Sequence, residues 1–213
     1  MVRHGMGSTE AMGGFANFFP LGVIPPRGVV PLGNPGPSTK LVATPEMGPD
    51  VFEVFIGGPV ASGYLGDPER TSQRFVEIDG TPVWRSGDLV RLREDNQYVH
   101  AGRSDDLVKV RGMLASPSET TARLLELDGV RAALTLPYVS AHNTRLVSFV
   151  ELSPVTDKHS TGIRNAVAEK LPPHLVPHDV IIYETLPSNT RGKFDRQALL
   201  DAYRASIEED GQS

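Results

Sequence analysis

Between Phe19 and Pro59, proline and glycine recur so densely that no helix of ordinary length fits anywhere in the stretch. What survives between the interruptions is short and apolar, as at Leu41-Val42 and Val54-Phe55-Ile56, which predicts brief strands joined by turns. The same texture continues through Val83-Trp84-Arg85, Leu89 to Leu92 and Tyr98-Val99-His100. Strand-sized runs at such short spacing suit a small barrel or a bent sheet, so the first half reads as β-rich.

After Gly102-Arg103-Ser104-Asp105 the pattern changes, because helices now alternate with strands. Ser116-Pro117-Ser118-Glu119 has the form of a capping box with proline at the first helical position, opening a helix to about Leu127 that stops before Gly129. A second helix starts near Ser160, lines up Ile163, Ala166, Val167 and Leu171 on one face, and ends at Pro172-Pro173. Val130 to Leu136, Leu146 to Leu152 and Val180 to Tyr183 read as strands, and a third helix spans Asp195 to about Glu208, with a frayed polar end beyond it. The expected class is α+β, with one β-rich domain over 1–103 and a small α+β domain over 104–213.

Composition removes several kinds of chemistry. No cysteine occurs among the 213 residues, which excludes a disulfide framework, a thiolate zinc site and a cysteine nucleophile. A net charge of -5 gives no broad basic field for a nucleic-acid backbone. Met1-Val2-Arg3-His4-Gly5 leads into glycine and polar residues without an apolar targeting run, and no stretch of about 18 apolar residues follows, so the expectation is a cytoplasmic chain with neither nucleic-acid nor membrane partners.

Read without any family, the candidate chemistry stays open. Gly57-Gly58-Pro59-Val60-Ala61-Ser62-Gly63-Tyr64 has backbone amides that can cradle a phosphate, although a tight turn between strands needs the same residues and is the stronger reading. Gly192-Lys193 is followed by Phe194 where a Walker loop needs Ser or Thr, so it is not one. Ser8-Thr9-Glu10 reads equally as a helix N-cap, and Asp88 after Gly87 as a turn residue. Lys109 and Arg111 alternate with Val108 and Val110 as on a half-exposed strand. His174 and His178 are separated by a segment ending in Pro177 and cannot share a helical face as metal ligands.

Five segments taken in order carry a resemblance. They are Gly7-Ser8-Thr9-Glu10, Gly63-Tyr64-Leu65, Trp84-Arg85-Ser86-Gly87-Asp88-Leu89, Gly102-Arg103-Ser104-Asp105 with Val108-Lys109-Val110-Arg111-Gly112, and Gly192-Lys193-Phe194-Asp195-Arg196. Leu171-Pro172-Pro173-His174-Leu175-Val176-Pro177 adds a sixth. In this order the chain resembles the C-terminal part of the adenylate-forming superfamily, which includes peptide-synthetase adenylation domains, acyl- and aryl-CoA ligases and luciferases. The resemblance implies the β-rich back end of the ATP/AMP-binding core domain followed by a mobile C-terminal lid.

It further implies a role for each matching residue. Met6, Gly7, Ser8 and Thr9 would lie along the nucleotide, with Thr9 on the α-phosphate and Glu10 on Mg²⁺. Asp88 would accept the ribose hydroxyls, Arg103 would support the ribose and phosphate side, and Asp105 would be the hinge of the lid. Lys109, Arg111 and Gly112 would form the loop of the thioester-forming state. Lys193 would be the catalytic lysine, bridging a carboxylate to the α-phosphate of ATP. The acyl-AMP would then pass to a phosphopantetheine thiol, on a carrier protein or on CoA.

The sequence also departs from the family. Met6 replaces an aromatic residue, Leu107 replaces glutamine, and Ala115-Ser116-Pro117-Ser118-Glu119 is similar to the CoA ligases rather than to peptide synthetases. Only eight residues precede Thr9, so the phosphate-binding loop and most of the acid pocket are expected from an N-terminal half-enzyme. A non-catalytic remnant, or an interaction module with a residual AMP-binding fold, is the alternative expectation.

Overall fold

A computed structural model describes residues 1–23, 30–140, 143–153 and 159–210. Residues 24–29 of the proline- and glycine-rich stretch, and 211–213 of the expected frayed end, lie outside the described residues. The chain divides into two compact units, Met1–Asp106 and Leu107–Ser213.

The first unit is built from strands. β1 (Val2–Met6), β2 (Phe15–Phe19) and β3 (Asn34–Pro35) form an antiparallel sheet in that order. β4 (Thr39–Ala43), β5 (Val51–Ile56), β6 (Phe75–Ile78), β7 (Thr81–Leu92) and β8 (Tyr98–Arg103) form a second, also antiparallel. The runs Val83 to Arg85 and Leu89 to Leu92 are therefore not two strands but parts of β7, whose first residues pair with β6 and whose last pair with β8. Asp79 and Gly80 both have positive φ between β6 and β7, the geometry a tight two-residue hairpin requires.

Residues Ala11, Phe15, Leu32, Val54, Ile56, Trp84 and Val90 form one buried cluster, which joins the two sheets. Tyr98 stands against Phe15 and Phe52, with ring centroids 5.5 and 6.4 Å away. Gly14 lets the strands close up, since a Cβ there would meet the Met6 carbonyl oxygen at 2.1 Å. The helix N-cap reading of Ser8-Thr9-Glu10 is not realised. Ser8 Oγ instead accepts from the Ala11 amide at 3.3 Å, and Ala11 bridges to Val60, so a turn and a short β-contact take the place of a helix.

One helix in this unit has a sequence signal that the strand pattern obscures. α1 (Pro68–Arg74) starts with proline after Asp67, whose carboxylate accepts from the Arg70 amide at 2.9 Å.

The second unit alternates helices and strands. β9 (Val108–Val110) and β10 (Met113–Ala115) make a hairpin whose turn is Arg111 and Gly112, both at positive φ. Arg111 thus departs from the expected strand alternation and occupies the turn. α2 (Pro117–Leu125), β11 (Val130–Val139), β12 (Thr144–Leu152), α3 (Ser160–Ala168), β13 (Asp179–Tyr183) and α4 (Arg196–Asp210) follow. β12 is central, antiparallel to β11 and parallel to β13, with α3 as the crossover.

Both faces of this sheet are covered. Leu146, Val150 and Val180 pack with Leu124 of α2 and Ile163 and Val167 of α3. Val147 and Phe149 face the opposite way, onto Leu199 and Tyr203 of α4. A strand buried on both sides loses its polar alternation, which is why the middle of β12 places Leu146 and Val147, then Phe149 and Val150, side by side.

The Ser116 hydroxyl does not make the cap bond that the capping box expects of it. Ser116 is the N-cap of α2, but its side chain is only 1% exposed and makes no cap bond; the first turn closes through the Glu119 amide on the Ser116 carbonyl at 3.0 Å. α3 ends at Ala168, short of Pro172-Pro173. Among the described residues no helix is long and apolar enough to cross a membrane.

Phe149 has no exposure, so Phe149→Ala should cost about 3–5 kcal/mol in urea unfolding, through lost burial and the cavity left behind. Exposed Met113→Ala should stay within about 0.5 kcal/mol. Equal losses for the two would contradict the packing described.

Candidate functional site

The richest polar constellation of the first unit grows from a mismatch in strand register. Between β5 and β7 the pairing advances from Glu53 to Phe55 on one strand and from Leu89 to Arg85 on the other, so β7 carries two surplus residues. They are accommodated as a bulge at Ser86, Gly87 and Asp88. Ser86 Oγ donates to the Val54 carbonyl at 2.9 Å and accepts from the Asp88 amide at 2.9 Å, which fixes the bulge from inside.

Asp88 is held at the edge of this bulge, opposite Arg103 on β8. Arg103 Nη1 donates to Asp88 Oδ1 at 2.9 Å, and the His100 ring Nε2 lies 3.5 Å from the same oxygen. The second guanidinium nitrogen donates to the Ser86 carbonyl at 3.1 Å and to Asp105 Oδ2 at 3.2 Å. Asp105 also receives Arg74 Nη2 at 2.5 Å.

These pairings act on the charges. Burial pushes the Asp88 carboxyl up, but the His100 hydrogen bond, the Arg103 charge and the Ser86 hydroxyl outweigh it and hold the group below its ordinary 3.8. Burial likewise works against Asp105, whose contacts with Arg74 and Arg103 bring it below its ordinary value. Beneath them Arg85 clasps Glu53 through two bonds of 2.8 and 2.9 Å, and Ser104 Oγ donates to Glu53 Oε1 at 3.1 Å.

A second polar chain runs through the Ser8–Met12 segment. Thr9 Oγ1 donates to Glu10 Oε2 at 3.2 Å, Tyr64 donates to Glu10 Oε1 at 3.2 Å, and Trp84 Nε1 donates to the Tyr64 hydroxyl at 3.2 Å. The Glu10 carbonyl accepts from Ala61, and the Met12 amide donates to Pro59, so the Gly57 to Tyr64 stretch serves as the support for this segment. Met6 ends β1, and Gly7 and Ser8 follow it.

In the second unit, Lys193 sits in a tight loop ahead of α4. Asn189 Oδ1 accepts from the Arg191 and Lys193 amides at 3.0 and 3.1 Å, the Asn189 amide donates back to the Lys193 carbonyl at 2.7 Å, and Ser188 bridges to Phe194. The backbone is pinned while the ammonium side chain is exposed. Lys109, Arg111 and Gly112 surround the β9–β10 turn and line a cleft of about 360 Å³ with Arg145, Leu146, Pro173, Val176 and His178.

The structure thus joins Asp88, Arg103 and Asp105 in one network, Thr9 and Glu10 in another, and Lys109, Arg111 and Gly112 around one cleft. Sequence reading missed Arg74, His100 and the hydroxyl of Tyr64 as members of these networks. For Arg74 the available signal was the Asp67-Pro68-Glu69 helix start, which places Arg74 at the end of one short helix.

Among the described residues no group of three or more His, Cys, Asp or Glu side chains can hold a metal ion. Glu10 on its own suits Mg²⁺, which takes one or two carboxylates and completes its shell with water and phosphate oxygens.

No family model matches the chain. Malpibaldin synthetase of Mortierella alpina is 34% identical over 183 residues, 80% of this chain and 3% of its own length. Phenyloxazoline synthase MbtB of Mycobacterium sp. (strain MCS) is 34% identical over 188 residues, 84% of this chain and 16% of its own length. Among solved structures, a benzoate CoA ligase from Burkholderia xenovorans superposes with a TM-score of 0.71 at 27% identity, over 92% of this chain and 40% of its own. Klebsiella oxytoca NpsA, in complex with 3-hydroxyanthranilyl-AMSN, gives 0.65 at 26% identity, over 82% and 37%. The chain spans less than half of the length of each of these relatives.

Because both carboxylates have depressed folded values, their contribution to stability is present above the unfolded value of about 3.9 and is lost as pH falls through the folded values. A carboxyl NMR titration should place Asp88 and Asp105 below 3.8, and Arg103→Ala should raise both. An Asp88 midpoint unmoved by Arg103→Ala would show that the ion pair does not form in solution.

Proposed function

We propose, on the premise that this chain belongs to the adenylate-forming superfamily and corresponds to its C-terminal part, that it supplies the ribose site, part of the metal site, the hinge and the lid lysine of an ATP-dependent acid-activating ligase. The observation that carries the reading is the β7 bulge. It holds an ionised Asp88 beside Arg103, and an ionised carboxylate can only accept hydrogen bonds, which suits a diol that can only be recognised there as a donor.

The remaining residues take roles on the same reading. Thr9 donates to the α-phosphate, and Glu10 holds Mg²⁺ together with phosphate oxygens. Bound there, Mg²⁺ would neutralise charge on the triphosphate. Met6 packs its polarizable thioether on the adenine, with Gly7 and Ser8 beside the nucleotide. Lys193 meets the carboxylate and the α-phosphate as negative charge builds in the transition state, a task suited to a point charge on a flexible stem above a fixed backbone.

The carboxylate oxygen bonds to the α-phosphorus while the bond to the β-phosphate bridging oxygen breaks, releasing pyrophosphate. The 104–213 region then turns about Asp105 as a lid, and the loop at Lys109, Arg111 and Gly112 attends the second step. There the phosphopantetheine sulfur of a carrier protein or CoA takes the acyl group, and AMP leaves. The Ser/Thr/Gly-rich phosphate loop and most of the acid pocket belong to an N-terminal half, which acts as the partner of this chain whether joined to it or separate.

Pyrophosphate release should be measured with a panel of acids, for the chain alone and with such an N-terminal half supplied. Release is expected only with the half present, and Lys193→Ala should lower it about 10²–10³-fold, the scale of losing one transition-state charge contact. An unchanged rate for Lys193→Ala would remove the lysine from the mechanism. Thioester appearing on free CoA, rather than on a carrier protein, would identify the acceptor.

A further inference from the structure

Arg74 lies outside every motif that the sequence singles out, yet it makes the shortest described contact to the residue read as the hinge. It is the last residue of α1, and its side chain is 19% exposed. Arg74 Nη2 donates to Asp105 Oδ2 at 2.5 Å, and Nη1 reaches the Arg85 carbonyl at 3.4 Å. The same Asp105 oxygen accepts from Arg103 Nη2, so one carboxylate lies between two guanidinium groups.

Gly87 leaves the room for this arrangement. Its φ is +76°, and a Cβ there would stand 2.5 Å from Arg74 Nη1, 3.1 Å from Arg103 Nη2 and 3.3 Å from Asp105 Oδ2. The neighbouring Ser104 is tied independently, its hydroxyl placed to donate to Glu53 Oε1 at 3.1 Å and to the Gly87 carbonyl at 3.2 Å. Both side chains are thereby fastened to the five-stranded sheet of the first unit, immediately before the second unit begins at Leu107.

We propose that Arg74 is a positioning residue that latches Asp105 to the first unit, so that lid rotation is confined to backbone bonds that follow the Asp105 side-chain anchor. The inference rests on the hinge role proposed for Asp105 and adds what makes the hinge a defined pivot. With Arg74 in place, Ser104 and Asp105 move as part of the nucleotide-binding unit. Without it the carboxylate keeps only Arg103, which Asp88 already shares, and the flexible region spreads upstream toward the ribose carboxylate.

The test is amide hydrogen exchange on the whole chain, which needs neither ATP nor acid nor acceptor. Arg74→Ala should speed exchange across 104–106 by roughly five- to tenfold, while β5, β7 and β12 keep their protection. Arg74→Lys restores the charge without the planar fork and should recover part of that protection. Wild-type exchange at 104–106 in Arg74→Ala overturns the latch. So does a loss of protection spread through β5 and β7, which would make Arg74 a general structural residue. Loosening confined to 104–106, in a chain that gives no pyrophosphate even with the N-terminal half, keeps the latch and rejects the ligase reading instead.

Discussion

The two surplus residues of β7 opposite β5 are the feature on which the first unit's chemistry depends. A regular ladder through this point would alternate side chains strictly between faces and leave no carboxylate turned aside from the sheet. The bulge breaks that alternation locally, and Ser86 compensates by occupying the Val54 carbonyl and the Asp88 amide that the ladder abandons. Gly87 supplies the positive φ and also the empty volume beside it, which two arginine side chains use. One backbone irregularity therefore positions Asp88, Arg103, Asp105 and Arg74 together.

The second unit carries exposed cations on a closely packed body. Its sheet is packed on both faces, by α2 and α3 on one side and α4 on the other, so the strands have little freedom. The cations stand on short turns between these elements. Arg111 has its backbone in the left-handed region, next to Gly112 in the hairpin turn. Lys193 has its amide and carbonyl both engaged by Asn189. A fixed backbone beneath a long exposed side chain restricts where the charge can go without immobilising it.

Much of this was legible in the sequence. The density of proline and glycine before Pro59 excluded helices of ordinary length, leaving one 3-10 turn at Pro45–Met47, and the runs at Leu41-Val42 and Val54-Phe55-Ile56 became β4 and β5. The spacing of Ile163, Ala166 and Val167 marked α3, because burial on one face imposes a helical period, whereas Leu171 is buried beyond the helix end. The unity of β7 was not legible, since Ser86-Gly87-Asp88 has the composition of a turn and only the partner strand converts it into a bulge. The Ser116 hydroxyl does not cap α2 for a related reason. A capping hydroxyl must lie over the open amides, and packing buried this one instead. Arg74 escaped notice because its partner is 31 residues away in sequence.

The arrangement at Asp88 also bears on how a ribose could be read there. Two of the side-chain contacts to this carboxylate, from Arg103 and His100, fall on Oδ1. An ionised carboxylate has about four acceptor positions, so two donors on one oxygen leave capacity for a diol without breaking the ion pair. A carboxyl lifted far enough to carry a proton would act partly as a donor and discriminate poorly against other ligands. Arg103 and His100 beside Asp88 thus do more than stabilise the bulge. They extend to lower pH the ionised state in which a pair of hydroxyls could be recognised purely by donation, and Arg103 ties that carboxylate to Asp105, next to the end of the first unit.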